Sequence, residues 1–150
     1  MKANITILSA LLVITLLTGC TKNTDVPETK EERVVRLLTG LGNKYWHLKE
    51  VYIMNVKQTL TDYQSRYTKT YTSSPSNIDP ANTKTGTFTN SDNFAGTWRL
   101  LDNGDTIRET ITNNQAAVVI SYTINSITET TLDVEYVQNL KLQREVYYAY

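Results

Sequence analysis

The chain has 150 residues with 15 basic and 15 acidic side chains, so its formal net charge is zero. It contains no block of basic residues, and this charge pattern argues against nucleic-acid binding. The sequence holds 24 threonines and ten tyrosines but only six glycines and three prolines. Because β-branched and aromatic residues suit the pleated, half-buried surface of a sheet, this composition predicts an all-β fold.

The first 20 residues have the layout of a secretory signal. Lys2 supplies a positive start, residues 5–17 form an apolar run, and Leu17-Thr18-Gly19-Cys20 closes the segment. A transmembrane anchor is the alternative, but the run spans roughly 13 residues where a membrane-spanning helix needs about 20. The closing tetrapeptide resembles the lipobox of bacterial lipoproteins, in which a signal peptidase cuts before a cysteine that carries a diacylglycerol.

This resemblance implies that residues 1–19 are a lipoprotein signal peptide and that Cys20 is the lipid-attachment site. It also implies an outer-membrane location, periplasmic or external, because Thr21 and not an aspartate follows the cysteine. Acyl chains on Cys20 would hold the protein on a membrane surface. No disulfide is expected, since Cys20 is the only cysteine.

Removing residues 1–19 leaves 131 residues, enough for one compact domain. Residues 20–32 are mainly polar and are predicted to form a lipidated tether, with a single domain over residues 33–150. Residues 30–39 place valines and leucines among charges and end at Gly40, which predicts a short helix with a glycine terminator.

The first predicted strand covers residues 45–56, with a bulge or bend near Lys49 and Glu50 because the apolar side changes there. Residues 58–65 are interpreted as a connection and residues 66–72 as the second strand. Residues 73–84 contain two prolines and several small polar residues, which predicts the longest loop.

Six further strands follow in a regular meander. They are predicted at residues 86–90, 96–101, 106–112, 116–124, 130–137 and 140–149. Asp102-Asn103-Gly104 indicates a tight turn, because Asn-Gly accepts the positive φ angles of a primed hairpin turn, and Asn113-Asn114 and Gln138-Asn139 indicate two more. Short connections favour antiparallel neighbours, so the sequence predicts an eight-stranded antiparallel up-and-down β-barrel, with a β-sandwich as the alternative.

Three short motifs are similar to those of the lipocalin-like lipoproteins of Gram-negative bacteria. They are Leu37-Leu38-Thr39-Gly40, Lys44-Tyr45-Trp46-His47-Leu48 and Gly96-Thr97-Trp98-Arg99-Leu100. The resemblance covers residues 37–150 and implies a barrel that takes small apolar ligands. It also implies a late basic residue over the tryptophan of the first strand, a place that Arg144 is expected to occupy.

Six side chains are candidates for lining a ligand cavity inside the barrel. They are Trp46, Phe88, Trp98, Glu109, Tyr136 and Arg144. Glu109 and Arg144 lie on otherwise apolar faces of their predicted strands, which places both in the interior as polar anchors or as structural ion pairs. The aromatic residues either line a cavity or simply fill the core of a small barrel.

The sequence offers little for catalysis. His47 is the only histidine, it should face away from Trp46, and no second histidine or free thiol accompanies it as a metal ligand. We therefore expect no enzymatic activity, no cofactor and no metal. The expected function is binding of a small apolar or amphipathic ligand inside the barrel. The alternative is a filled barrel that binds or inhibits another envelope protein through its outer surface.

Overall fold

A computed structural model describes residues 27–78, 84–112 and 117–150 of the chain. Its architecture is a closed eight-stranded antiparallel barrel with one short helix, which confirms the predicted fold class. The predicted signal peptide, Cys20 and the turn predicted at Asn113-Asn114 lie outside the described residues.

The strands follow one another along the chain and around the barrel. They are β1 (Asn43–Ile53), β2 (Val56–Gln58), β3 (Thr68–Ile78), β4 (Lys84–Asn90), β5 (Ala95–Leu101), β6 (Thr106–Thr112), β7 (Ala117–Ile127), β8 (Thr131–Gln138) and β9 (Lys141–Tyr148). From β3 to β9 each strand pairs with the next, and β1 pairs with both β3 and β9, which closes the barrel. The short β2 forms a hairpin with the end of β1 and is additional to the eight predicted strands.

Helix α1 (Lys30–Thr39) has the predicted bounds and packs against one end of the barrel. Its N-terminus has a capping box, in which Thr29 and Glu32 each accept a hydrogen bond from the other's backbone N–H. Gly40 follows with a φ of 60°, as expected for a glycine terminator. The buried Leu38 accepts a hydrogen bond at its carbonyl from the indole N–H of Trp46, at 2.9 Å, which ties the helix to β1.

The register of β1 shifts against β9 between Leu48 and Glu50, so the bulge predicted near Lys49 is confirmed. The predicted loop over residues 73–84 is wrong in part, because β3 continues to Ile78 and β4 begins at Lys84. The register between these two strands is irregular after Ser73. Irregular pairing allows a strand to contain a proline, which has no N–H for a regular ladder.

Two hairpin turns use the left-handed conformations that the sequence indicates. Asn103 and Gly104 have φ angles of 54° and 88°, although the β5–β6 connection has four residues and includes a short 3₁₀ turn. Between β8 and β9, Asn139 and Leu140 have φ angles of 51° and 61° in a two-residue turn. Short turns of this kind keep neighbouring strands antiparallel.

Two large rings of the core lie over glycines of the neighbouring strand. Gly86 pairs with Trp98, and Gly96 pairs with Phe88, across the β4–β5 ladder. A Cβ atom on Gly86 would come within 2.6 Å of the Trp98 indole nitrogen, and one on Gly96 within 2.1 Å of a backbone carbonyl oxygen. Both glycines therefore provide space for rings that fill the barrel.

Candidate functional site

The centre of the barrel contains a buried ion pair between Lys69 on β3 and Glu109 on β6. The Nζ atom of Lys69 lies 3.0 and 3.2 Å from the two carboxylate oxygens, and the side chains are only 4% and 1% exposed. The hydroxyl of Tyr71 also donates to Glu109, and that of Tyr122 lies 3.3 Å from Nζ. The pair thus has the additional hydrogen bonds that a desolvated charge requires.

This environment changes the pKa of the groups it contains. Burial on its own lowers the pKa of Lys69, but the nearby Glu109 carboxylate and the surrounding tyrosines together outweigh this effect, and the pKa lies well above its ordinary value. Burial, followed by the charge of Glu109, raises the pKa of Tyr71 well above its ordinary range. Lys69 therefore stays charged and Tyr71 neutral at physiological pH.

A second carboxylate, that of Glu145 on β9, also lies on the inner face of the barrel. It is nearer the end of the barrel away from helix α1, where the wall opens. Its cross-strand partners are Val51 on β1 and Val134 on β8, both buried, whereas Glu145 itself is only partly buried. The hydroxyl of Tyr136 donates to Glu145 at 2.8 Å, and that of Tyr147 donates to the other carboxylate oxygen. Burial, then the charge of Glu145, raises the pKa of Tyr136.

The barrel wall opens between β7 and β8, at the end away from helix α1. Among the described residues, these strands pair only between residues 123–127 of β7 and residues 132–135 of β8. Residues 117–122 continue in register with β6 and leave their other edge unpaired. A register shift between Ile124 and Ser126 marks the point where the two strands start to separate.

An open cleft of about 630 Å³ fills the gap between the separated strands. We call it the β7–β8 cleft. It is lined by Val118, Val119, Ile120, Ser121, Thr123, Glu135, Tyr136, Val137, Gln138, Asn139 and Leu142. Five of these side chains are aliphatic. Tyr136 adds an aromatic ring with a polar hydroxyl, and this ring packs edge-on against Tyr122 with centroids 4.9 Å apart.

No family model, curated protein or solved structure matches this chain. Within residues 27–78, 84–112 and 117–150, no helix is long and apolar enough to cross a membrane. The same ranges contain no group of three or more histidine, cysteine, aspartate or glutamate side chains placed to hold a metal ion. The chemistry of the site is therefore argued from its own geometry.

Four of the six predicted cavity residues are packed inside the barrel. Trp46 is fully buried under helix α1, and Phe88, Trp98 and Glu109 are each 1% exposed around the Lys69 ammonium group. The Trp98 indole N–H donates to the carbonyl of Thr72 at 3.1 Å. These four side chains fill the interior.

The other two predicted residues lie apart from that core. Tyr136 lines the β7–β8 cleft. Arg144 pairs in register with Tyr52 and Glu135 on the outer face of the barrel, and its guanidinium binds Asp133 with an Nε–Oδ1 distance of 2.8 Å. The expectation of an interior Arg144 is therefore wrong, because residues 143, 145 and 147 of β9 face inward instead.

A lysine, and not Arg144, lies over the tryptophan of the first strand. The Nζ atom of Lys44 is 4.5 Å from the centre of a Trp46 ring and donates to the carbonyl of Leu37 at 3.0 Å. Lys44 lies two residues before Trp46, so its side chain is on the same face of β1. His47 lies on the opposite face, as expected, and stacks on Tyr148 with ring centroids 5.3 Å apart.

Sequence reasoning missed Lys69 and Glu145 as interior charges. Lys69 alternates with Tyr67 and Tyr71, and this alternation with two aromatic residues indicates that the lysine shares their face. Glu145 has no comparable signal, because the neighbouring positions 142, 146 and 148 are more apolar than positions 143 and 145 and were expected to face the core. The periodicity of β9 alone favours the wrong face.

Proposed function

We propose that this protein is a lipid-anchored, extracytoplasmic binding protein that holds a small apolar or amphipathic ligand in the β7–β8 cleft. The observation that carries this proposal is the cleft itself. Its volume of about 630 Å³ falls within the range of roughly 300–1,000 Å³ that is typical of small-molecule sites. Its lining combines aliphatic side chains with a few polar groups, which suits a ligand with an apolar part.

The proposed ligand lies at the open end of the barrel and not at its centre. The central layer is occupied by the Lys69–Glu109 pair and by the buried rings of Phe88 and Trp98. Removing side chains from that layer to admit a ligand would break a desolvated ion pair, which is costly. The cleft needs no such rearrangement, because its walls are already separated.

Binding to a neutral fluorescent probe, N-phenyl-naphthylamine, tests the site. Val119 lines the cleft and is 54% exposed, and Val56 on β2 is 63% exposed but lies outside the cleft lining. We expect Val119→Lys to weaken probe binding at least tenfold, since it puts a charge among aliphatic groups, whereas Val56→Lys leaves it unchanged. Equal binding by both variants would place the ligand elsewhere.

The alternative function is an interaction or inhibitor protein that binds another cell-envelope protein through its outer surface. The unpaired edge of residues 117–122 favours it, because an open strand edge can pair with a strand of a partner. Val118, Val119, Val137 and Leu140 add exposed apolar area beside that edge. Native mass spectrometry of the purified mature chain separates the two functions: a small mass lost on denaturation supports a ligand, and a bare protein that also fails to bind the probe supports a protein partner.

The proposed anchor is a lipid on Cys20, followed by a tether that ends before helix α1, which begins at Lys30. Acylation of the cysteine would hold the barrel at the outer membrane, with the cleft outside the bilayer. We expect Cys20→Ala to release the protein from the membrane fraction or to leave its signal uncut. A processed Cys20→Ala protein that stays fully on the membrane would contradict lipid anchoring.

A further inference from the structure

We infer that the ligand of the β7–β8 cleft has a positively charged head group, which binds beside Glu145 at the base of the cleft. The ligand class is thus an amphipathic amine with an apolar tail. This inference rests on the proposed function and adds the chemistry of the ligand to it. Three observations carry it: the placement of Glu145, its link to the cleft, and its hydrogen-bond partners.

Glu145 is on the inner face of the barrel but is not sealed from solvent. It lies between Val51 and Val134 in the ladder, and these partners are only 5% and 3% exposed. Glu109, the other carboxylate of the interior, is 1% exposed, whereas Glu145 is partly exposed. Glu145 thus combines an inward-facing position with partial access to solvent.

Tyr136 joins Glu145 to the cleft. Its ring forms part of the cleft wall, and its hydroxyl donates to one Glu145 oxygen at 2.8 Å. The carboxylate therefore lies directly behind the Tyr136 hydroxyl and not in the cleft lining itself. A head group that enters past Tyr136 comes within hydrogen-bond distance of Glu145 once the tyrosine side chain, which is packed against the core, moves aside.

The partners of Glu145 are neutral. The hydroxyls of Tyr136 and Tyr147 donate to it, and no lysine, arginine or histidine nitrogen of the described residues lies within 4.0 Å of its oxygens. The nearby Lys69 binds Glu109. An ionised carboxylate accepts about four hydrogen bonds, so Glu145 retains capacity for a cationic donor. A carboxylate on the partly enclosed inner face, with only neutral partners, favours a cation beside it.

The rest of the cleft suits the remaining parts of such a ligand. The Tyr136 ring lines the cleft and presents aromatic surface to a cation. Val118, Val119 and Val137 lie farther out along the separated strands and provide an apolar wall for the tail. An anionic head group would instead meet two carboxylates, those of Glu145 and Glu135.

Head-group competition tests this inference. The complete mature chain, residues 20–150 produced without the signal so that Cys20 stays unlipidated, is loaded with N-phenyl-naphthylamine. It is then titrated with decylammonium, decyl glucoside and decyl sulfate below their micelle-forming concentrations. We expect the cation to displace the probe at a concentration at least about tenfold lower than the glucoside, with the sulfate weakest. Equal displacement by the three compounds would overturn the inference.

Two glutamine variants locate the charge that matters. Glu145→Gln keeps an acceptor for the tyrosine hydroxyls but removes the charge, so we expect the cation to lose its advantage over the glucoside. Glu135→Gln is the matched control at the outer edge of the cleft, and we expect less than about a threefold effect. If Glu135→Gln loses the cation preference and Glu145→Gln keeps it, the assignment of the head group to Glu145 is overturned.

The outcomes also separate this inference from the proposed function. If Val119→Lys abolishes probe binding but the native protein shows no head-group preference, the cleft remains the binding site and the inference of a cationic ligand is overturned. Absence of binding by the probe and by all three detergents contradicts both. Should Glu145→Gln fail to fold, the ranking of the three head groups on the native protein decides the inference by itself.

Discussion

At the scale of single residues, the Lys69–Glu109 pair determines what can be removed from the core. The ammonium group and the carboxylate are 3.0 Å apart in surroundings that exclude water, and two tyrosine hydroxyls complete their hydrogen bonds. Removing one member of a buried pair leaves the other charge uncompensated. We expect Lys69→Met to reduce the free energy of unfolding by about 3–5 kcal/mol, as measured by urea denaturation.

Two further variants show whether this loss comes from the orphaned charge. In Lys69→Met combined with Glu109→Leu both charges are gone, so we expect stability to return toward the native value. Lys30→Met breaks the ion pair with Asp105, in which both side chains are more than half exposed. There we expect a loss of at most about 1 kcal/mol. A Lys69→Met protein as stable as Lys30→Met would contradict the role assigned to the central pair.

At the scale of elements, local sequence signals are sufficient to predict an element where one face is clearly apolar or where a turn needs a special residue. The helix over residues 30–39, the bulge at Lys49 and the turn at Asn139 all follow from such signals. The loop predicted over residues 73–84 is wrong in part, because prolines and small polar residues indicate loops on average, whereas β3 continues there with irregular pairing to β4.

The candidate site was harder to predict than the fold because it depends on how strands meet. The apolar residues of β9 favour an inward orientation for the face that is in fact external, so the structure places Arg144 outward and Glu145 inward, contrary to the prediction. The β7–β8 cleft exists because the strands part beyond a register shift near Asn125, and pairing between strands is not encoded in the periodicity of either one. Only Tyr136 of the six predicted cavity residues lines the cleft.

At the scale of the whole molecule, closure of the barrel encloses several tyrosines together with one lysine. Burial, with the charge of a nearby glutamate as the next cause, raises the pKa of Tyr71 and Tyr147 well above the ordinary range. Tyr122 is raised chiefly by burial as well, although Lys69 opposes the shift. The net charge of the chain is zero, so its overall charge adds no strong self-repulsion at neutral pH.

These groups predict a cooperative loss of the fold in alkali. In the unfolded chain a tyrosine releases its proton near pH 10 and a lysine near pH 10.4, whereas the buried groups keep theirs. The folded state therefore binds more protons than the unfolded state above about pH 10, so stability is present below that pH and falls as the pH rises. Each tyrosine contributes a loss of about 1.4 kcal/mol per pH unit, and three together about 4 kcal/mol.

Unfolding should therefore occur within a few pH units above 10, because a domain of this size is stable by about 5–15 kcal/mol. We expect the absorbance of tyrosinate to rise in two steps, the second together with loss of the aromatic circular dichroism signal. Tyr71→Phe should reduce the amplitude of the second step, while the same change at the exposed Tyr45 should leave it intact. If all tyrosines titrate in one early step with the fold preserved, the tyrosines around Lys69 are not enclosed, and the centre of the barrel is open to water and to ligands.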